Sequence, residues 1–307
     1  FWLKGTINQC IGLFFRLHIR RCTMNKQTVR NLVELFKFDL EKFDQTHEFN
    51  RLPVIWINAQ DCTGCSETFV RGMNFDIAHF IFDVISLTYM DILSYTRPND
   101  LGKKNQGEYV LIVEGSLGPH FDYCFVGGKC VADEVKELAE HAKYIIAVGS
   151  CSCWGGIPAA KPNPTEAVDL QEILPDREII RVPGCPPLPE AIYGTLLYMC
   201  LAAKTPPLTK KGTPTFFYDK TVHETCHRKH FFDQKLFAEH FDDPNGYCLL
   251  KLGCKGPTAF NGCETIKWNG GISSPIFSGN ACLGCSEKNF WDKYKTPVVK
   301  KRKAEAK

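Results

Sequence analysis

Between His223 and Cys285 the chain carries six cysteines and a histidine paired with one of them, all within 63 residues. The thiols are Cys226, Cys248, Cys254, Cys263, Cys282 and Cys285, and His223 precedes Cys226 in the string HETC. The residues between them are rich in Gly, Pro and Asn (PNG, KGP, NGC, NGG, SSP, SGN), with little helical or strand periodicity. Too few apolar side chains face one way to build a conventional core. Bonds from thiolate to metal are the obvious substitute. Soft sulfur donors at short spacing suit iron–sulfur clusters or zinc. Zinc sites take closed sets of four ligands. Seven ligands split poorly into fours, whereas four plus three suits two iron clusters. A zinc-stapled interaction module is the competing reading from a different functional class.

The 307 residues suggest two domains. An apolar content of 44% with 23% charged residues permits a sizeable core. The net charge is +3, and the one cationic run, VVKKRKAEAK, reads as a solvated end, so nucleic acid is not an expected partner. Sixteen cysteines would fit a disulfide scaffold only in a small, loop-rich chain, and this one has full-length α/β patterns. No run of 18 apolar residues is present, so no transmembrane helix is expected. Near the N-terminus, Arg16, Arg20 and Arg21 follow a short apolar patch. A secretory signal has the opposite order, and no apolar run follows Arg20-Arg21 as a twin-arginine leader requires. Met24 reads as a start, with residues 1–23 a leader fragment, and the expected location is cytoplasmic. A missing twin-arginine leader would instead make it periplasmic or membrane-associated.

Apolar residues at three-to-four spacing predict an amphipathic helix over 28–43. Continuous apolar runs then predict strands at 53–59, 109–116, 144–151 and 178–185, with helices at 131–142 and 186–204. Such alternation argues a doubly wound parallel sheet. Strands stop near Pro206. The expected organisation is an N-terminal extension (1–51), an α/β domain (52–205) and a mostly irregular domain (206–307). Within the last, KHFFDQKLFAEHF places aromatic residues at helical spacing, and His227, His230 and His240 read as surface or structural.

Loops after three of the strands carry cysteine: Cys62 and Cys65, then Cys151 and Cys153, then Cys185. Open α/β sheets bind ligands outside the carboxyl ends of their strands. Thiols from separate loops therefore converge, which argues a four-cysteine site with either Cys151 or Cys153 as its third member. Buried inert cysteine is common in cores, but three placements at equivalent edges make that reading improbable. No phosphate-type glycine loop follows the first strand, which argues against a nucleotide or flavin there.

Taken together these residues resemble the small, electron-transferring subunit of the nickel–iron hydrogenases. The resemblance runs from about Leu52 to Pro297. It rests on DCTGCSE at 61–67, VEGS at 113–116, AVGSC at 147–151 with Gly155-Gly156, GCPP at 184–187, HETC at 223–226, CLLKLGCKGP at 248–257, NGCETIKWN at 261–269 and CLGCSEKNFWD at 282–292. It implies a flavodoxin-like domain and three clusters. A proximal 4Fe–4S cluster would be held by Cys62, Cys65, Cys151 and Cys185. A distal 4Fe–4S cluster would be held by His223, Cys226, Cys248 and Cys254. A medial 3Fe–4S cluster would have only Cys263, Cys282 and Cys285, with Pro275 in the interval where no fourth cysteine occurs. Family spacing favours Cys151 over Cys153.

The same resemblance implies a large partner subunit bearing the nickel–iron centre. This chain would then lack catalytic residues of its own and relay electrons of hydrogen metabolism to an acceptor such as a cytochrome, a quinone-linked subunit or ferredoxin. Oxygen-tolerant relatives carry two further cysteines, at positions that are Gly64 and Gly156 here, so an oxygen-sensitive enzyme is expected. A hydrogen-sensing complex would use the same clusters. A quinone-reductase subunit of the respiratory complex I type shares the sheet and the proximal site, but lacks the distal and medial set.

Overall fold

The computed structural model describes residues 51–72, 77–94, 98, 108–118 and 123–293. The helix expected over 28–43 and the start read at Met24 lie outside them. The first domain is built on strands β1 (Leu52–Asn58), β2 (Ile85–Met90), β3 (Val110–Glu114), β4 (Tyr144–Val148) and β5 (Ile180–Val182). They form one parallel sheet in the order β2-β1-β3-β4-β5. That order is the flavodoxin-like one, with its switch point between β1 and β3. The helices relevant to the site are α1 (Gly64–Val70), α2 (Val131–His141), α3 (Gly149–Trp154) and α4 (Pro189–Ala202).

Alternation along the strands divides the core in two. Val54, Trp56, Val110, Ile112, Ile146 and Val148 face α4 through Ile192, Tyr193, Leu196 and Met199. Ile55, Ile57, Leu111, Val113, Ile145 and Ala147 face α2 through Val131, Val135 and Leu138. Both faces are covered, which explains why these strands read as unbroken apolar runs. Every residue of α4 from Pro189 to Cys200 is buried, as expected of a helix apolar all round. A third, small core of Val222, Ala238, Leu249, Leu252, Ala259, Ile276 and Ala281 lies among the C-terminal loops.

Three expectations need correction. The third and fourth strands end at Val148 and Val182, not at Cys151 and Cys185, because Gly149 turns the chain at φ +83° straight into α3 and Pro183 has no N–H to continue a ladder. Strand β2 was not anticipated; ISLTYM follows an apolar stretch without a Gly or Pro to mark its start. The aromatic segment after His227 is helical only over Lys229–Asp233, since Lys235 takes φ 62°, which an α-helix cannot contain.

Candidate metal centres

Each strand end delivers its cysteines by a specific turn. Thr63 and Gly64 open α1 directly after β1, so Cys62 and Cys65 bracket that helix start. The Glu114 carboxylate at the end of β3 fixes it, accepting hydrogen bonds from the backbone N–H of Cys65 at 2.9 Å and of Ser66 at 3.2 Å, and from the Ser66 hydroxyl. The same carboxylate takes the Trp56 indole N–H at 3.0 Å. Glu114 is buried, and these donors compensate its charge. Cys151 lies in α3, and Cys185 lies beyond β5.

The four thiols Cys62, Cys65, Cys151 and Cys185 come together: the last three neighbours of Cys65 by electrostatic influence are the other members of the set. Burial pushes the Cys65 thiol well above its ordinary value, with Glu114 and the three sulfurs adding to the effect. Burial also lifts Cys151 to about 12 and Cys185 to about 11. A Cβ at Gly149 would strike the Cys65 sulfur, and one at Gly156 would lie 2.5 Å from the Cys151 sulfur. The glycines keep this space for sulfur. Cys153 points the other way, buried in the core beside α2 and donating to the Ala147 carbonyl at 3.3 Å.

In the C-terminal region His223, Cys226, Cys248 and Cys254 line one pocket. The His223 ring meets Phe232 edge-on at 4.6 Å, and its backbone N–H donates to the Gly256 carbonyl at 3.1 Å. Cys263, Cys282 and Cys285 form a third group: Cys282 and Cys285 both act electrostatically on Cys263. Burial raises all three, Cys282 to about 12.

One local device recurs. The sulfur of a cysteine accepts the backbone N–H two residues on, from Arg228 to Cys226, Gly256 to Cys254 and Gly284 to Cys282, each at 3.4 Å. Leu250 serves Cys248 in the same way. Such bonds favour thiolate over thiol and tune sulfur-ligated iron. Desolvated thiols with N–H donors aimed at sulfur lose their protons readily only to a metal. Every described cysteine is free of disulfide bonding. The donor sets therefore fit iron–sulfur clusters.

The three groups follow one another along the molecule. The Cys185 backbone N–H reaches the Cys285 sulfur, and the Ser150 hydroxyl donates to the Cys285 carbonyl. At the far side the Lys255 N–H, next to Cys254, donates to the Cys282 carbonyl at 2.7 Å. Two helpers were not singled out from sequence, Ser150 and Glu264; each is adjacent to a predicted ligand, and that adjacency was the available signal. His227, read as surface or structural, lies with Nδ1 2.9 Å from Glu264.

A flavodoxin-like sheet with cysteines gathered at its strand ends, followed by loops that gather six more together with His223, has the donor sets of an iron–sulfur protein. The family model for the C-terminal region of the NiFe/NiFeSe hydrogenase small subunit matches residues 218–298. The model for the 20 kDa subunit of NADH–ubiquinone oxidoreductase matches residues 62–199. The uptake hydrogenase small subunit of Azotobacter vinelandii is 42% identical over 255 residues, 79% of this chain and 71% of that one. The hydrogenase-1 small chain of Citrobacter freundii is 41% identical over 79% of this chain and 68% of its own length. The reduced, active Ni-Fe-Se hydrogenase of Desulfomicrobium baculatum superposes with a TM-score of 0.75 at 31% identity, covering 82% of this chain and 100% of that one. The chain belongs to the small-subunit family of the nickel–iron hydrogenases.

Proposed function

We propose that this chain is the electron-transfer small subunit of a heteromeric nickel–iron hydrogenase, an oxidoreductase acting on hydrogen, with the active-site metal on the large partner subunit. The observation that carries the reading is the connected series of three ligand groups, from Cys62 through Cys285 to His223. When bound, iron–sulfur clusters would supply one-electron carriers between the partner's centre and an outside acceptor. The chain's own work is to hold, space and desolvate them. Cys62, Cys65, Cys151 and Cys185 would hold the proximal 4Fe–4S cluster, and Cys263, Cys282 and Cys285 the medial 3Fe–4S cluster. His223, Cys226, Cys248 and Cys254 would hold the distal 4Fe–4S cluster.

Cys62 and Cys185 are exposed at the strand-end face, beside Ile157 at 57% exposure, which supports that face as the seat of the large subunit. Partly exposed His223 supports its own end of the molecule as the exit to a cytochrome, a quinone-linked subunit or ferredoxin. The match over 218–298 favours this reading over a complex I-type subunit, whose model covers only the first domain. Among the described residues no helix is long and apolar enough to cross a membrane. Gly156, where an added Cβ would crowd Cys151, supports an ordinary proximal cluster and an oxygen-sensitive enzyme. Anaerobic co-purification tests the function: a nickel-bearing partner and hydrogen-dependent dye reduction are expected, and a colourless zinc protein would overturn it.

A further inference from the structure

One buried carboxylate belongs to no ligand set. Glu264 follows Cys263, and its side chain is 2% exposed. One of its oxygens lies 2.9 Å from Nδ1 of His227, the residue after Cys226. The other accepts a hydrogen bond from the Ser274 hydroxyl. Ser274 is buried too, and its hydroxyl oxygen also accepts the Phe277 N–H at 3.1 Å. Glu264 is thus clamped between the neighbour of a distal ligand and a loop of the medial region.

Its charge reaches both groups. The Cys226 sulfur, the His227 ring and the Glu264 carboxylate lie within 4.8 Å of one another. Glu264 also directly follows Cys263 in the chain, so the carboxylate stands beside a member of each group. A discrete metal ion shared by Cys226, His227 and Glu264 is the competing use of this trio. Cys226 is already claimed by the distal set, and a His–carboxylate contact of hydrogen-bond length needs no ion between its partners.

We propose that Glu264 is an electrostatic tuning residue whose fixed negative charge holds down the reduction potentials of the medial and distal clusters together. This rests on the reading that both clusters are present. Reduction adds negative charge to a cluster, and a carboxylate a few ångströms away in a poorly solvated site opposes that. The His227 and Ser274 contacts fix the carboxylate in place.

The test is a redox titration of the anaerobically purified complex, followed by low-temperature paramagnetic resonance. Glu264→Gln keeps the shape and an acceptor for Ser274 while removing the charge. Both midpoints are expected to move upward, and Glu264→Asp to return them toward the native values with unchanged line shapes. Midpoints that stay put in E264Q overturn the proposal, as does an E264D shift equal to that of E264Q, which would mark a purely structural role. Should E264Q fail to assemble, Ser274→Ala is read instead. It keeps the charge and removes a donor that offsets it, so both midpoints should fall, and unmoved midpoints again overturn the proposal. A native complex without a three-iron signal would instead overturn the cluster reading beneath it.

Discussion

The backbone N–H of Lys255 donates to the carbonyl oxygen of Cys282 at 2.7 Å, tying the residue after Cys254 to the third cysteine group. On the other flank of the same short segment, the Cys285 sulfur receives the N–H of Cys185. The CLGC string is therefore the middle of the molecule's wiring. It touches the first domain with one cysteine and the distal pocket with the other. The Lys255–Cys282 link is backbone to backbone and does not depend on a side-chain rotamer, so it holds that spacing stiffly within a loop region.

Removing one medial ligand should remove one cluster only. In Cys263→Ala the three-iron paramagnetic signal is expected to disappear. Iron should fall from about eleven to about eight atoms per chain, if the sites hold four, four and three. Hydrogen-dependent reduction of an acceptor at the distal end should collapse with it. Iron analysis and low-temperature resonance on the same sample provide the check.

The imidazole of His223 separates the distal site from its neighbours. A thiolate in its place brings extra negative charge, which should lower the distal midpoint. His223→Cys is expected to retain four irons at that site with a lower potential. His223→Ala should lose the cluster or leave it labile. A redox titration comparing the two variants with the native complex reads this directly.

Glu114 binds the start of α1 to the end of β3 through Cys65, Ser66 and Trp56. Glu114→Ala leaves those buried donors unpaired, and each lost charge-assisted bond is worth about 1.5–3 kcal/mol. We expect a loss on the order of 3 kcal/mol in stability after partial relaxation, with a proximal cluster that is easily lost. Thermal unfolding and iron content under anaerobic conditions measure both.

Cysteines outside the ligand sets make an alkaline prediction. Burial pushes Cys124 up to about 11 and Cys200 up to about 12. The unfolded chain ionises them near their ordinary value, about 8.5. Below that pH both states are protonated and the contribution to stability is fully present. As pH rises past it, the unfolded state ionises first and stability is lost through the folded values. Cys124 and Cys200 should therefore resist alkylation near neutral pH, and stability should decline from about pH 9 upward. Mass spectrometry of alkylated protein and unfolding midpoints across pH test this.

Much of this molecule could be read directly from its residues. Covered on both faces, β1, β3 and β4 had to be continuously apolar, and they were found close to their true bounds. The ligand groups were legible because metal sites concentrate rare residue types at short spacing. Strand β2 escaped because a sheet edge needs less apolar sequence and ISLTYM carries no punctuation. Aromatic spacing around Phe231 mimics a helix face, but the rings of Phe232 and Phe231 instead meet His223 and Tyr247 edge-on. The role of Glu264 was legible only as adjacency to Cys263. Its importance lies in being buried between two loops far apart in sequence, and only tertiary structure brings His227 and Ser274 to it.

The central claim is that eleven side chains in this chain hold three clusters in series. Its most direct test is iron quantification with low-temperature paramagnetic resonance on the complex purified without air. About eleven irons per chain, with a three-iron signal in the oxidised state that vanishes on mild reduction, is the predicted result. Stoichiometric zinc, or cysteines recovered as disulfides with no three-iron signal, would contradict it.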